Sequence, residues 1–200
     1  MARRGRPSVD RGVLSFQAPD WSPPEALLLD TSVAVEALLP SEPGHAACVQ
    51  FLRDLAASPC LVVFNRLLEV ELYETLFNVA LKERHGNRWA SARYDGRVRR
   101  RAGRLLAAGA GAWSELLDSL SWSSIDLSEV SEDVPELMRS YGFRSYDAVH
   151  AASLPASGLS DIATLDHGFA ALPSSNVTLH TTDARAITMR RHRALSAKRS

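Results

Sequence analysis

The strongest constraint on the fold is a series of short apolar runs that end in polar residues and alternate with helical spacing. Ala26-Leu27-Leu28-Leu29 is continuous, apolar and stopped by Asp30. A strand covered on both faces reads this way, because neither side of its pleat meets water. Leu61 to Phe64 repeats the pattern, and Trp122–Leu127, Asp161–Leu165 and Val177–His180 supply three more strand candidates. Between them lie Val33 to Leu39, stopped by Pro40, and Glu42 to Ala57, with Ala46, Val49, Phe51, Leu52 and Leu55 at its apolar positions. Ser32 is the expected cap of the first helix. Asn65 is placed to cap a third, running to about Arg84. Ser128–Tyr141, closed by Gly142, and Tyr146–Ala156, capped by Ser145, complete the set. Strands alternating with helices, at spacings long enough for crossovers, predict an α/β fold with a mainly parallel sheet.

Length and composition bound the rest. A chain of 200 residues suits one domain with decoration. Apolar residues are 46% and charged residues 23%, so wholesale disorder is not expected. No apolar run approaches the ~18 residues of a membrane span. The N-terminus lacks the apolar segment of a secretory signal. Cys48 and Cys60 are the only cysteines, which excludes a disulfide scaffold and fits a reducing cytoplasm. Residues 1–25, rich in Arg, Pro and Gly and closed by Pro23-Pro24, read as a basic tail. Residues 26–182 read as the domain, with a basic insert at about 82–110, and 183–200 as a second basic tail.

The formal net charge is zero, yet the charge is segregated. Residues 1–12 carry +3, 13–81 carry −7, 82–104 carry +7, 105–183 carry −9 and 184–200 carry +6. Such blocks create local fields that a total conceals. Zero net charge therefore does not exclude a nucleic-acid partner.

In open α/β sheets, ligands bind beyond the carboxyl ends of the strands. Asp30 ends the first strand and Asp166 the fourth. One of the acids in Glu69-Val70-Glu71, and Asp147 two residues after Ser145, fall near helix starts on the same edge. Singly, each acid has an ordinary structural reading as a turn residue, a cap or a solvated helix position. Together they form a set of carboxylates that repel one another unless a cation joins them. Hard oxygen ligands select Mg²⁺ or Mn²⁺, which activate water and stabilise charge on a phosphoryl group. The chemistry indicated is phosphodiester hydrolysis.

Leu28-Leu29-Asp30-Thr31-Ser32 resembles the opening of a PIN domain. Ser145-Tyr146-Asp147-Ala148-Val149-His150-Ala151-Ala152 is similar to that family's third acidic motif, and Thr164-Leu165-Asp166-His167-Gly168-Phe169 to its fourth. For the second motif, the spacing from Asn65 and the pair Glu71-Leu72 favour Glu71 over Glu69. The likeness spans about residues 26–180, and the pattern is nearest to VapC-type toxins, the ribonucleases of toxin–antitoxin pairs. It implies a three-layer α/β/α fold. It also implies that Asp30, Glu71, Asp147 and Asp166 hold Mg²⁺ or Mn²⁺ for hydrolysis of RNA. Thr164 and Ser32 would support the pocket by hydrogen bonds. The expected partners are RNA, a VapB-like antitoxin and a second copy of the chain. The extra length in residues 82–120 and both tails, and Asn65 in place of the family's usual hydroxyl, depart from the pattern.

Other residues read differently. His150, one turn after Asp147 in an apolar stretch, reads as a hydrogen-bonded packing histidine rather than a ligand or base, and His167 as an exposed neighbour of Asp166. Arg97, Arg99, Arg100, Arg101 and Arg104 form the densest basic cluster, just after Trp89 and Tyr94. Basic residues beside aromatics suit single-stranded RNA, by phosphate contact and stacking. Neutralising Arg99, Arg100 and Arg101 is expected to lower RNA affinity and flatten its salt dependence. Two other functions share these residues: a noncatalytic RNA-binding module in RNA processing, and an α/β phosphohydrolase acting on a small molecule.

Overall fold

A computed structural model describes residues 12–196. Six strands form one sheet: β1 (Val13–Ser15), β2 (Ala26–Leu29), β3 (Leu61–Asn65), β4 (Ser121–Ile125), β5 (Asp161–Ala163) and β6 (Thr178–Thr181). Their order is β1-β6-β5-β2-β3-β4, and every neighbouring pair is parallel. All carboxyl ends therefore share one edge. From β2 the chain builds outward through β3 and β4, then crosses back to lay β5 against the other side of β2. That reversal makes the β2–β5 junction the topological switch point, where parallel sheets open a crevice.

Side chains on β2 alternate between two cores, as the period of a strand requires. Leu27 and Leu29 join Val62 and Phe64 in one core, with α1 (Thr31–Leu38), α2 (His45–Ala56) and α3 (Leu67–His85). A single turn, α4 (Trp89–Ala92), then leads to α5 (Gly96–Ser119), which packs on α3 and contributes Trp113 and Leu117 to the same core. Leu28 and Val63 join the other core, with α6 (Val134–Tyr141), α7 (Ser145–Ser157) and α8 (Asp183–Ser196). Each fully buried leucine of β2 contributes about 1.5–3 kcal/mol of transfer free energy. The result is the expected three-layer α/β/α arrangement.

Several local expectations are met by specific contacts. Asn65 Oδ1 accepts the Leu67 N–H at 2.9 Å at the head of α3. Gly142 ends α6 in the left-handed region at φ 71°, a conformation that glycine adopts without steric cost. The serine caps are not formed as expected. Asp30 and Arg144 occupy the cap positions of α1 and α7, and neither makes a side-chain cap bond.

Two segments differ from the sequence reading. Residues 13–16 are not tail. Val13–Ser15 pair with β6, Phe16 stacks on Phe51 with ring centroids 4.3 Å apart, and Trp21 packs on Phe51 at 5.4 Å. Three residues are too few to show a strand period, so aromatic contact with α2 anchors this edge. Residues 183–196 likewise belong to the body of the fold, because Ala186 and Met189 of α8 are buried in the second core. Residues 1–11 and 197–200, the outer parts of the expected basic tails, lie outside the described residues.

The basic, glycine-rich stretch forms α5, a 24-residue helix. Asp95 caps it, accepting the N–H groups of Arg97 and Val98 at 2.7 and 3.2 Å. A Cβ at Gly109 would lie 2.5 Å from Leu76 Cδ1. Glycine there allows the close approach of α5 to α3. No helix among the described residues is long and apolar enough to cross a membrane.

Candidate active site at the carboxyl edge of the sheet

Asp30 leaves the end of β2 directly at the switch point and is buried. Its Oδ2 accepts hydrogen bonds from Thr164 Oγ1 at 2.8 Å and Ser32 Oγ at 2.5 Å. Ser32 Oγ accepts the Leu165 N–H at 2.9 Å, and Thr164 Oγ1 accepts the Asp166 N–H at 3.0 Å. The chain after β2 is thus stitched to the chain after β5, and the Asp30 carboxylate is fixed in orientation. Both hydroxyl residues named from the sequence take part.

Glu71 lies on the second turn of α3. Its Oε2 accepts from Thr31 Oγ1 at 2.5 Å and lies 2.8 Å from His150 Nε2. Glu69 turns elsewhere. It pairs with Arg66 at 3.0 Å and accepts the Trp113 indole N–H at 3.3 Å. Two residues apart on a helix is about 200° of rotation, so only one of these glutamates faces the site.

Asp166 follows β5, with its side chain 41% exposed, and accepts the Gly168 N–H at 2.7 Å. Asp147, in the first turn of α7, makes no side-chain hydrogen bond among the described residues. Burial, then the negative charges of Asp166, Asp30 and Glu71, push its carboxyl up to about 6, against the opposing influence of His150. Asp147 therefore feels all three other carboxylates, with no donor to it among the described residues.

His150 is buried, with Nε2 also 3.7 Å from Asp30 Oδ1 and 3.1 Å from Thr31 Oγ1. Burial disfavours its cation. The hydrogen bond to Glu71 and the charges of Asp30, Glu71 and Asp147 outweigh that, so its pKa is raised. Its Nδ1 is buried with no hydrogen-bond partner among the described residues. This histidine is buried and hydrogen-bonded as expected, and its partner is Glu71 of the acidic edge. Its one-turn offset from Asp147 was the available signal, outweighed by its apolar neighbours. Thr31, beside Ser32 in the sequence, carries no local mark of the bond it makes to Glu71, 40 residues away.

The donor set, four carboxylates, suits a hard divalent cation. The uncompensated charge around Asp147 is what such a cation would relieve. Among the described residues, however, no three His, Cys, Asp or Glu groups stand in a metal-holding arrangement. Glu71 Oε2 is occupied by Thr31 and His150 instead. An open cleft beside the acids is lined by Glu71, Asp147 and Asp166, with Tyr141, Arg144, Tyr146 and His167 completing its wall.

The arginine cluster is not brought to this edge. Arg97, Arg99, Arg100, Arg101 and Arg104 are exposed on α5, and Arg101 lies beside His85, the last residue of α3. Glu71 and His85 are 14 residues apart on α3, which is about 21 Å of helix. Trp89, near the cluster, is covered by the Lys82 ammonium 5.1 Å from its ring centroid.

Comparison with known proteins agrees with the fold. No curated protein matches the chain. Among solved structures, VapBC2 from Rickettsia felis, bound to a DNA fragment from its promoter, is similar at 14% identity and a TM-score of 0.51, covering 79% of this chain and 99% of that one. VapC20 from Mycobacterium tuberculosis, a sarcin-ricin loop cleaving toxin, is 15% identical over 68% of this chain and 86% of its own, with a TM-score of 0.44. FitAcB from Neisseria gonorrhoeae is 17% identical over 77% and 96%, with a TM-score of 0.46. The PIN domain family model matches residues 27–174, which include all four acids of the edge, and the chain belongs to the PIN domain family.

Proposed function

We propose that this protein is a divalent-metal-dependent endoribonuclease and the toxin of a toxin–antitoxin pair. The observation that carries the reading is the meeting of Asp30, Glu71, Asp147 and Asp166 at one sheet edge, where Thr164 and Ser32 fix Asp30, Thr31 and His150 hold Glu71, and burial, then the charges of the other three acids, raise the Asp147 carboxyl. Those four residues would hold Mg²⁺ or Mn²⁺. When bound, such an ion supplies an activated water and stabilises charge on the phosphoryl group. The chain's own residues do the positioning. Thr164 and Ser32 orient Asp30, while Thr31 and His150 hold Glu71. The likeness in fold to VapBC2 supports a VapB-like antitoxin as partner. A homodimer in the cytoplasm completes the proposal.

The test is RNA cleavage by purified Asp30→Asn and Asp147→Asn variants in Mn²⁺ or Mg²⁺. Both are expected to lose cleavage while keeping the circular dichroism of the unsubstituted protein. Cleavage retained by both would remove the carboxylates from the chemistry.

A further inference from the structure

Two clefts adjoin the acidic edge, and each carries a guanidinium that makes no ion pair among the described residues. The first is the cleft described above, where Arg144, at the start of α7, is exposed beside Glu71, Asp147 and Asp166. Next to it Tyr146 is 43% exposed. The second is lined by Ser32, Val35 and Glu36 of α1, by Glu42 and Leu165, and by Arg185 of α8, its one cation set against the carboxylates of Glu36, Glu42 and Asp166. Asp166 and His167 line both clefts. The His167 ring meets the His192 ring of α8 edge-on, with centroids 5.0 Å apart, and α8 packs along the turn His167–Ala171. The C-terminal helix, outside the region matched by the family model, therefore contributes directly to the rim of the site.

A guanidinium beside carboxylates ordinarily forms a bidentate pair. Neither of these does, so both remain available to an anion. The edge itself repels a phosphodiester chain, and a cation on each side offsets that repulsion without neutralising the acids. Tyr146 adds an accessible aromatic face, which suits an unpaired base. In a duplex the bases stack on one another and are closed to such contact.

We propose that single-stranded RNA crosses the acidic edge from the Tyr146 cleft to the Arg185 cleft. Arg144 and Arg185 each hold a phosphate, one on either side of the phosphate that is cut, and Tyr146 stacks on a base. This rests on the nuclease reading and names the residues that would hold the strand on either side of the cut. It puts the phosphate contacts on α7 and α8 rather than on the Arg97–Arg104 face at the far end of α3.

The experiment measures affinity for a fluorescent single-stranded oligoribonucleotide across a salt series in Mg²⁺, with Asp30→Asn in every protein to prevent cutting. Arg144→Gln and Arg185→Gln are each expected to reduce the slope of log affinity against log salt by about 0.7. Tyr146→Ala should weaken binding by about tenfold, while Tyr146→Phe preserves it. Arg99→Gln/Arg100→Gln/Arg101→Gln should leave the slope unchanged, and a blunt RNA duplex should bind more weakly than the single strand. With Asp30 restored, the Arg144→Gln/Arg185→Gln protein should show raised KM with kcat little altered. Cleavage by the unsubstituted protein together with an unchanged slope in the double variant would overturn the path and leave the nuclease reading standing. A slope carried by the α5 triple variant would do the same. No binding and no cleavage of RNA by the unsubstituted protein would overturn both.

Discussion

Two carboxylate environments lie at opposite ends of β5. At its start, Asp161 accepts from His180 Nε2 at 2.7 Å and from Ser160 Oγ at 2.8 Å. The Trp21 indole N–H donates to His180 Nδ1 at 3.0 Å. An indole can only donate, so Nδ1 is the acceptor and Nε2 carries the proton given to Asp161. Burial acts to raise the Asp161 carboxyl, but the bonds from His180 and Ser160 outweigh it and hold the group below the usual carboxylate range. Beyond the carboxyl end of the strand, Asp147 has no donor among the described residues, and burial, then the charges of Asp166, Asp30 and Glu71, push its carboxyl up to about 6. One sheet therefore holds a satisfied acid and a frustrated one. The difference lies in local compensation: Asp161 has its hydrogen-bond donors within the fold, whereas Asp147 lies among carboxylates with no donor among the described residues, which is where the proposed cation would act.

The largest expected effect breaks this contrast chemically. Asp147→Asn should reduce metal-dependent RNA cleavage by about a hundredfold or more, whereas Asp161→Asn, once folded, should cleave normally. Initial rates of oligonucleotide hydrolysis decide it. The stability ranking is the reverse. His180→Ala leaves the Trp21 N–H and the Asp161 carboxylate without their partner, and should cost about 3 kcal/mol in urea unfolding. Asp147→Asn should cost nothing in metal-free buffer.

A smaller effect concerns metal. At a hundred times its dissociation constant, Mn²⁺ should stabilise the unsubstituted protein by about 2.7 kcal/mol. The corresponding rise in Tm should largely vanish in Asp147→Asn but persist in Asp161→Asn. An equal rise in all three proteins would place the ion elsewhere.

The smallest effect is the pH dependence of the metal-free protein, and the two acids give it opposite signs. A raised carboxyl such as Asp147 adds stability that is complete below its unfolded value of 3.8 and is lost as pH rises through about 6. Allowing for solvent screening of this half-exposed group, the loss is about 1 kcal/mol. A depressed carboxyl such as Asp161 adds stability that is present above the ordinary carboxylate range and is lost as pH falls through its lowered value. Urea midpoints between pH 4 and 6, below the range in which the raised His150 loses its proton, should therefore fall with rising pH in the unsubstituted protein and stay flat in Asp147→Asn.

Much of the scaffold was legible in residue order. The runs ending at Leu29 and Phe64 marked strands because a parallel strand covered on both faces needs uninterrupted apolar side chains. Asp30 and Asp166 stood out because polar residues immediately after such runs fall at a sheet edge. Val13–Ser15 was not legible, since its identity as a strand rests on pairing with β6, more than 160 residues away in sequence. Nor was the glycine-containing α5, whose course depends on Asp95 as a cap and on Gly109 fitting against Leu76.

The sequence by itself determined the alternation of strands and helices, the parallel sheet and the positions of the acids, because periodicity and chain-breaking residues are local properties. Only the tertiary structure decided which polar groups meet. Thr164 reaches Asp30 across 134 residues and His150 reaches Glu71 across 79. It also separated the strongest basic cluster from the acids, because α3 carries the two to opposite ends of one rigid helix. Segregated charge in a sequence measures how much field is available. Where that field acts is settled by packing, since Coulomb interactions depend on distances in space that sequence separation does not encode.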